Sequence, residues 1–232
     1  LSSETSINKG TWEAAQASKD VALTATEKVM KNGQPVFALC RPPGHHATAD
    51  MFGGYCFLNN AAIAAQYMRD HGAKKVAVLD VDFHHGNGTQ DIFYERGDVL
   101  FVSLHGQPQD AYPFFLGYED EKGRGAGLGT THNFPMPPGT AYGVWGQALA
   151  TAIKTVQTFS ADALVVSLGV DTYEKDPISF FKLINDDFTT MGRTVAGLKL
   201  PTVIIMEGGY AIDDIGVNVV NFLEGFSDGA KK

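Results

Sequence analysis

The sequence predicts an α/β fold, a parallel sheet flanked by helices, with an active site at the C-terminal ends of the strands. Three observations predict it. Apolar runs alternate with helix-periodic segments, the rhythm of a parallel sheet covered on both faces. Five of those runs are short, as strands are. Chemistry-bearing residues fall just past the runs, where ligands bind in open α/β sheets.

Each element has its own signal. Thr11–Lys31 repeats apolar residues at helical spacing (Trp12, Ala15, Val21, Ala22, Val29) and stops at Asn32-Gly33. Pro35–Leu39 reads as a short buried strand, and the Gly/Pro-rich loop Arg41–Gly54 leads into a helix over Leu58–Asp70. Lys75–Leu79 is the second strand, Asn87–Tyr94 a helix and Val99–Leu104 the third strand. His105–Gly139, rich in glycine and proline, shows no sustained period and is expected to be one long functional loop. Then come helix Thr140–Phe159, strand Ala163–Leu168, helix Asp186–Gly197, strand Thr202–Met206 and helix Asp213–Gly225.

The 232 residues contain no linker, repeat or low-complexity tract, so a single domain over residues 1–232 is expected. With 44% hydrophobic residues the chain can build a core. A net charge of −8 argues against a nucleic-acid partner and suits a small cation. Cys40 and Cys56 are too few for a disulfide framework and fit no zinc or redox spacing, which points to a reducing, cytoplasmic setting. No apolar run reaches the roughly 18 residues of a membrane span.

Polar residues gather at one sheet edge. His45-His46 follows the first strand, Asp80-Val81-Asp82-Phe83-His84-His85 the second and His105 the third. Asp171 follows the fourth and Glu207-Gly208-Gly209-Tyr210 the fifth. Four of the seven histidines thus form two adjacent pairs, each past a strand. Asp82 and His84, two apart, point the same way in an extended segment. With Asp171 they offer one nitrogen and two oxygens, the donor count of a catalytic zinc site. An isolated Asp-x-His would more simply cap the next helix; the company it keeps favours a ligand. A second metal would need further carboxylates near Asp171, and Gly169-Val170-Asp171-Thr172-Tyr173 has none, so one metal is expected.

These motifs carry a resemblance. Arg41-Pro42-Pro43-Gly44-His45-His46, Gly54-Tyr55-Cys56-Phe57-Leu58-Asn59-Asn60, Asp80 through Thr89 and Glu207-Gly208-Gly209-Tyr210 together resemble the histone deacetylase superfamily. Tyr112–Tyr118 and Asp171–Ser179 look most like its bacterial acetylpolyamine amidohydrolase branch. The resemblance runs from about Gly10 to Gly225. It implies an arginase/deacetylase-like fold, one Zn2+ on Asp82, His84 and Asp171, and catalytic roles for His45, His46 and Tyr210. Asp80 and Asn87 fall on the residues that bond the outer nitrogens of His45 and His46. Asn87 departs from members with Asp there, and a neutral partner should leave His46 less basic. Gly54, Tyr55 and Tyr112 fall on substrate-binding positions, the two tyrosines walling a tunnel. K+ sites would map to Asp80, Asp82, His84, Ser103 and Leu104, and to Phe93, Arg96 and Val99. Family domains begin upstream of the segment matching Leu1, so their N-terminal part is expected to be absent from this chain.

The implied activity is deacetylation of N-acetylated polyamines, with a small cationic amine as substrate and a homodimer as the assembly to consider. Acetyl-lysine in proteins is the alternative substrate, and a non-catalytic metal or acyl-amine binding domain the alternative class. The proton shuttle is assigned to His46, with His45 held by Asp80 as its electrostatic partner, and the oxyanion donor is Tyr210. Simpler expectations cover the rest. Cys40 and Cys56 are buried hydrophobes, His71 and His132 are surface or loop residues, and His105 lines the site rim. Arg41 contacts a loop carbonyl or assists product exit. Glu119-Asp120-Glu121 is a solvated loop or attracts the ammonium end of a polyamine.

Overall fold

The computed structural model describes residues 5–231. The elements in chain order are α1 (Thr11–Asn32), β1 (Val36–Ala38), α2 (Asn60–Asp70), β2 (Val76–Asp80), α3 (Asn87–Phe93) and β3 (Val99–Gly106). They continue with β4 (Thr131–Met136), α4 (Tyr142–Phe159), β5 (Ala163–Leu168), α5 (Asn185–Ala196), β6 (Thr202–Met206) and α6 (Ile215–Ala230). The six strands form one parallel sheet in the order β1-β6-β5-β2-β3-β4.

Burial explains the continuous apolar strands. Ala77 and Leu79 of β2 face one core with Leu100, Val102, Leu164, Val166 and Ile204, covered by Trp145 and Leu149 of α4, Phe188 of α5 and Phe222 of α6. Val76 and Val78 face the other with Phe101, Val165, Val203 and Ile205, covered by α1 and α2 through Ala22, Val29, Ala61 and Met68. Side chains alternate across the pleat, so a strand buried on both faces has no polar side to show.

Two expectations need correction. The sheet has six strands, not five, because β4 lies within the stretch read as one loop. Its sequence, Thr-His-Asn-Phe-Pro-Met, lacks a clean apolar period, and Pro135 within it is tolerated because β4 is an edge strand. His105 does not follow β3 but lies inside it, fully buried. Boundaries shift slightly elsewhere. α2 starts two residues late because the Asn59 side chain caps it, accepting from the Ala62 amide at 2.8 Å. α6 runs past Gly225, which packs so closely on Thr189 that a Cβ there would sit 2.0 Å from its carbonyl oxygen.

This topology positions the site. The chain leaves β2 into α3, on the α1/α2 side of the sheet, and leaves β5 towards α5 on the other side. A crevice opens between two adjacent strands whose connections diverge, and ligands bind there. β2 and β5 are hydrogen-bonded neighbours, with Asp80 beside Ser167 in register. Among the described residues, no helix is long and apolar enough to cross a membrane.

Candidate metal centre and tunnel

Asp82 and His84 leave the end of β2 and Asp171 the end of β5. All three are buried, and one ligating atom from each lies within 4.8 Å of the others. His84 Nδ1 stands 2.9 Å from Asp171 Oδ2 and 3.3 Å from Asp82 Oδ1. Ligands at about 2.1 Å around a tetrahedral ion stand roughly 3.4 Å apart, so this spacing suits one ion. The backbone orients both carboxylates. Asp82 Oδ1 accepts from the His84 amide and its Oδ2 from Gly208, each at 2.8 Å, and Asp171 Oδ1 accepts from Phe83 at 2.8 Å.

Two observations say that these donors fit a cation. Burial, and then the charge of Asp82, push the Asp171 carboxyl up to about 7, a repulsion that a metal ion would relieve. A Cβ on Gly208 would come within 2.7 Å of Asp82 Oδ2 and 2.8 Å of Asp171 Oδ2, so glycine keeps space open against both ligands.

The tandem histidines sit beside this cluster on the loop after β1. Their backbone is gripped from two sides. The Gly88 and Thr89 amides at the start of α3 donate to the His45 carbonyl at 3.0 and 3.2 Å. From β6, Glu207 Oε2 accepts from the Gly44 and His45 amides at 2.7 and 3.2 Å, while Ser167 donates to its other oxygen. His45 Nδ1 bonds Asp80 Oδ2 at 3.0 Å, and its Nε2 is 3.8 Å from Asp82 Oδ1. Burial works against a charge on His45, but Asp82 and Asp80 outweigh it and hold its pKa well above the ordinary value. His46 goes the other way. Burial, then the neighbouring His45 and His84, press its pKa well below the ordinary value, and its Nδ1 donates to Asn87 Oδ1 at 2.7 Å. With the proton fixed on Nδ1, Nε2 is left as a base.

A narrow cavity of about 50 Å³ leads to the cluster, lined by His46, Gly54, Tyr55, His84, Tyr112, Ile178 and Tyr210. The Tyr112 ring stands edge-on to His46 with centroids 4.8 Å apart, and Tyr55 lies 6.1 Å from Tyr210. Burial, then Asp171 and Asp82, raise the Tyr210 phenol well above its ordinary range, which keeps it a hydrogen-bond donor. Gly54 is required where it stands. At φ +53° it adopts a left-handed conformation, and a Cβ would meet His46 Cδ2 at 2.3 Å.

Two further expectations resolve differently. His105 is not at the rim; its ring contacts Ser103 Oγ at 2.8 Å and the Gly117 carbonyl at 2.9 Å beneath the tunnel loop. Glu121 is not a free ammonium attractor, because its Oε2 accepts from Gln90 at 2.6 Å and from the Gly117 amide at 3.0 Å, while Glu119 and Asp120 are exposed. Arg41 is exposed and lines a separate groove with Thr11, Pro42 and Tyr55. Cys40 and Cys56 are free and buried.

The residues mapped to K+ sites lie in two places. Asp80, Asp82, His84, Ser103 and Leu104 cluster at the ends of β2 and β3, with Asp80 beside Ser103. Phe93 ends α3, Val99 begins β3, and Arg96 lies on the turn between them, where its carbonyl accepts from Thr130 and its side chain pairs with Asp98. Sequence reasoning gave no role to Glu207 or Ile178. Glu207, a charge directly after an apolar strand, was the available signal.

Fold and site together define an α/β protein with a buried Asp/His/Asp metal centre at a topological switch point. The pattern of the histone deacetylase domain matches residues 2–226. The chain is 61% identical over 222 residues to the acetylpolyamine amidohydrolase of Mycoplana ramosa, covering 96% of this chain and 65% of that one. It is 56% identical to acetylpolyamine amidohydrolase 1 of Pseudomonas aeruginosa, covering 98% and 66%. A crystal structure of acetylpolyamine aminohydrolase from Burkholderia pseudomallei superposes with a TM-score of 0.92 at 47% identity, over 94% of this chain and 64% of that chain. The HD domain of HDA15 gives the same TM-score at 30% identity, over 97% and 67%. The chain therefore belongs to the histone deacetylase family, and it spans about two thirds of the length of these relatives.

Proposed function

We propose that this chain carries the active site of a zinc-dependent amidohydrolase that removes acetyl groups from N-acetylated polyamines. The observation that carries the reading is the convergence of Asp82, His84 and Asp171 with His45, His46 and Tyr210 at the base of one narrow cavity. Zinc held there would lower the pKa of a water molecule and polarise the substrate carbonyl. His46, with Nε2 free to accept, would serve as the base that removes a proton from the attacking water and returns it to the leaving nitrogen. His45, bonded to Asp80 at 3.0 Å beside the cluster, is placed to stabilise developing negative charge. The Tyr210 hydroxyl donates to the carbonyl oxygen, a contribution of roughly 3–4 kcal/mol in comparable sites. Tyr55 and Tyr112 wall the entrance with apolar faces, which suits an alkyl chain reaching inward. A polyamine is the favoured substrate because relatives at 61% and 56% identity are named acetylpolyamine amidohydrolases.

A structural K+ at the turn formed by Asp80, Asp82 and His84 belongs to the same reading, supported by Asp80 and Ser103 standing side by side. So do a homodimer and a cytoplasmic location, the latter supported by two free cysteines.

The test is acetate release by the zinc-loaded protein from an N-acetylated diamine and from an acetyl-lysine peptide, with bound zinc measured on the same sample. Chelator-sensitive release with higher kcat/KM on the diamine is expected. Higher kcat/KM on the peptide would favour a protein deacetylase, and bound zinc with no release from either would leave a binding domain.

A further inference from the structure

Tyr210 is poorly restrained by its own sequence. It follows Gly208 and Gly209, and Gly209 has φ +152° with no Cβ to limit it. A Cβ there would meet Val170 Cγ2 at 2.6 Å, so these glycines are needed for packing and cannot be replaced to stiffen the segment. A donor aimed at a reacting oxygen must nevertheless be held closely, since a misplacement of about 1 Å costs on the order of a hundredfold in rate. Restraint has to come from elsewhere.

Asp176 supplies it. Its Oδ2 accepts from the Tyr210 amide at 2.7 Å and the Ala211 amide at 3.3 Å, while its Oδ1 accepts from the Ile178 amide at 3.1 Å. The carboxylate is buried. Tyr210 and Ile178 both line the cavity, so one side chain fixes two of its walls. The base of Asp176 is itself anchored. Its amide donates to the Tyr173 carbonyl, and Tyr173 is buried in the core with its hydroxyl on Asn185. The same loop begins at Asp171, a candidate metal ligand, so metal cluster and oxyanion donor share one support.

We infer that Asp176 is a positioning residue: it sets the placement of the Tyr210 hydroxyl relative to the Asp82/His84/Asp171 cluster, and that of Ile178 opposite. Its kinetic consequence rests on the amide-hydrolysis reading above.

The test is a double-mutant cycle on the zinc-loaded protein with Asp176→Asn and Tyr210→Phe, with 19F spectra of protein labelled with 3-fluorotyrosine. Asp176→Asn keeps the size but replaces one of the two acceptor oxygens with an NH2 donor, which then faces either the Tyr210 and Ala211 amides or the Ile178 amide, and removes the negative charge. It should lower kcat about 10- to 100-fold while zinc content holds. In the Tyr210→Phe background the same change should cost less than about twofold, because the group it places is gone. The Tyr210 resonance, assigned by its loss in Tyr210→Phe, should move in Asp176→Asn while that of the remote Tyr67 stays. Equal fold losses in both backgrounds, or an unmoved Tyr210 resonance, would overturn the inference. If Asp176→Asn fails to fold, Asp176→Ser, which keeps a small acceptor, takes its place in the same measurements. Should the parent protein release no acetate, the functional reading falls, and the resonance alone still decides whether Asp176 places Tyr210.

Discussion

The metal cluster and the tunnel wall touch, yet they are held by different means. Both oxygens of Asp82 and one of Asp171 accept backbone amides from strand ends and the turns directly after them. The wall stands instead on loops. Tyr55 at φ +65° and Phe114 at φ +67° are non-glycine residues in the left-handed region, and Phe115, on the same loop as Tyr112, is 85% exposed. The metal ligands are thus held at the sheet's strand ends, and the cavity wall by loops. The two systems meet at His84, whose ring stands edge-on to those of Tyr112 and Tyr210 at 6.4 Å.

Perturbing the cluster should have the largest effect. Asp171→Ala should abolish zinc retention and reduce acetate release to background, measured by metal analysis and turnover on one preparation, because two ligands do not make the site. Full zinc occupancy in that variant would break the contrast. Gly54→Ala comes next. It places a side chain in the left-handed region, at about 1–2 kcal/mol, and drives Cβ into His46, so kcat should fall together with thermal stability while zinc stays bound. Asn87→Asp tests the cluster's edge more finely. A carboxylate on Nδ1 raises the His46 pKa; protonated His46 cannot take the water's proton, so the acid limb of kcat/KM should move to higher pH. An unmoved limb would assign the base elsewhere. The smallest effect is expected at the exposed Phe115, where Phe115→Ser should leave stability within about 0.5 kcal/mol and kcat unchanged. KM for the acetylated diamine should shift at most about threefold, since an exposed ring loses little on removal. A larger KM effect would make Phe115 part of the binding surface.

How far the sequence disclosed this arrangement follows the same division. β2, β5 and β6 are legible because burial on both faces leaves uninterrupted apolar runs, and Asp82 and His84 because they follow directly on such a run; the structure brings them together through a bend at 82–84 rather than an extended segment. β4 is hidden because an edge strand tolerates Pro135 and polar neighbours. The support roles of Glu207 and Asp176 are hidden for another reason. Glu207 acts on Gly44, 163 positions away, and Asp176 on Tyr210, 34 positions away, so only the folded chain brings each to its partner. Glu121 was misread because three consecutive acidic residues look alike in sequence, while in space one turns inward to Gln90.

The placement of the three ligands on two neighbouring strand ends bears on when metal binding competence arises during synthesis. Phe83 and Asp171, joined by a hydrogen bond, are separated by 88 positions. A ribosome making this chain releases Asp82 and His84 long before Asp171 exists. Until β5 docks beside β2, the nascent chain offers only two of the three donors. The complete donor set therefore exists only once that long-range pairing has formed.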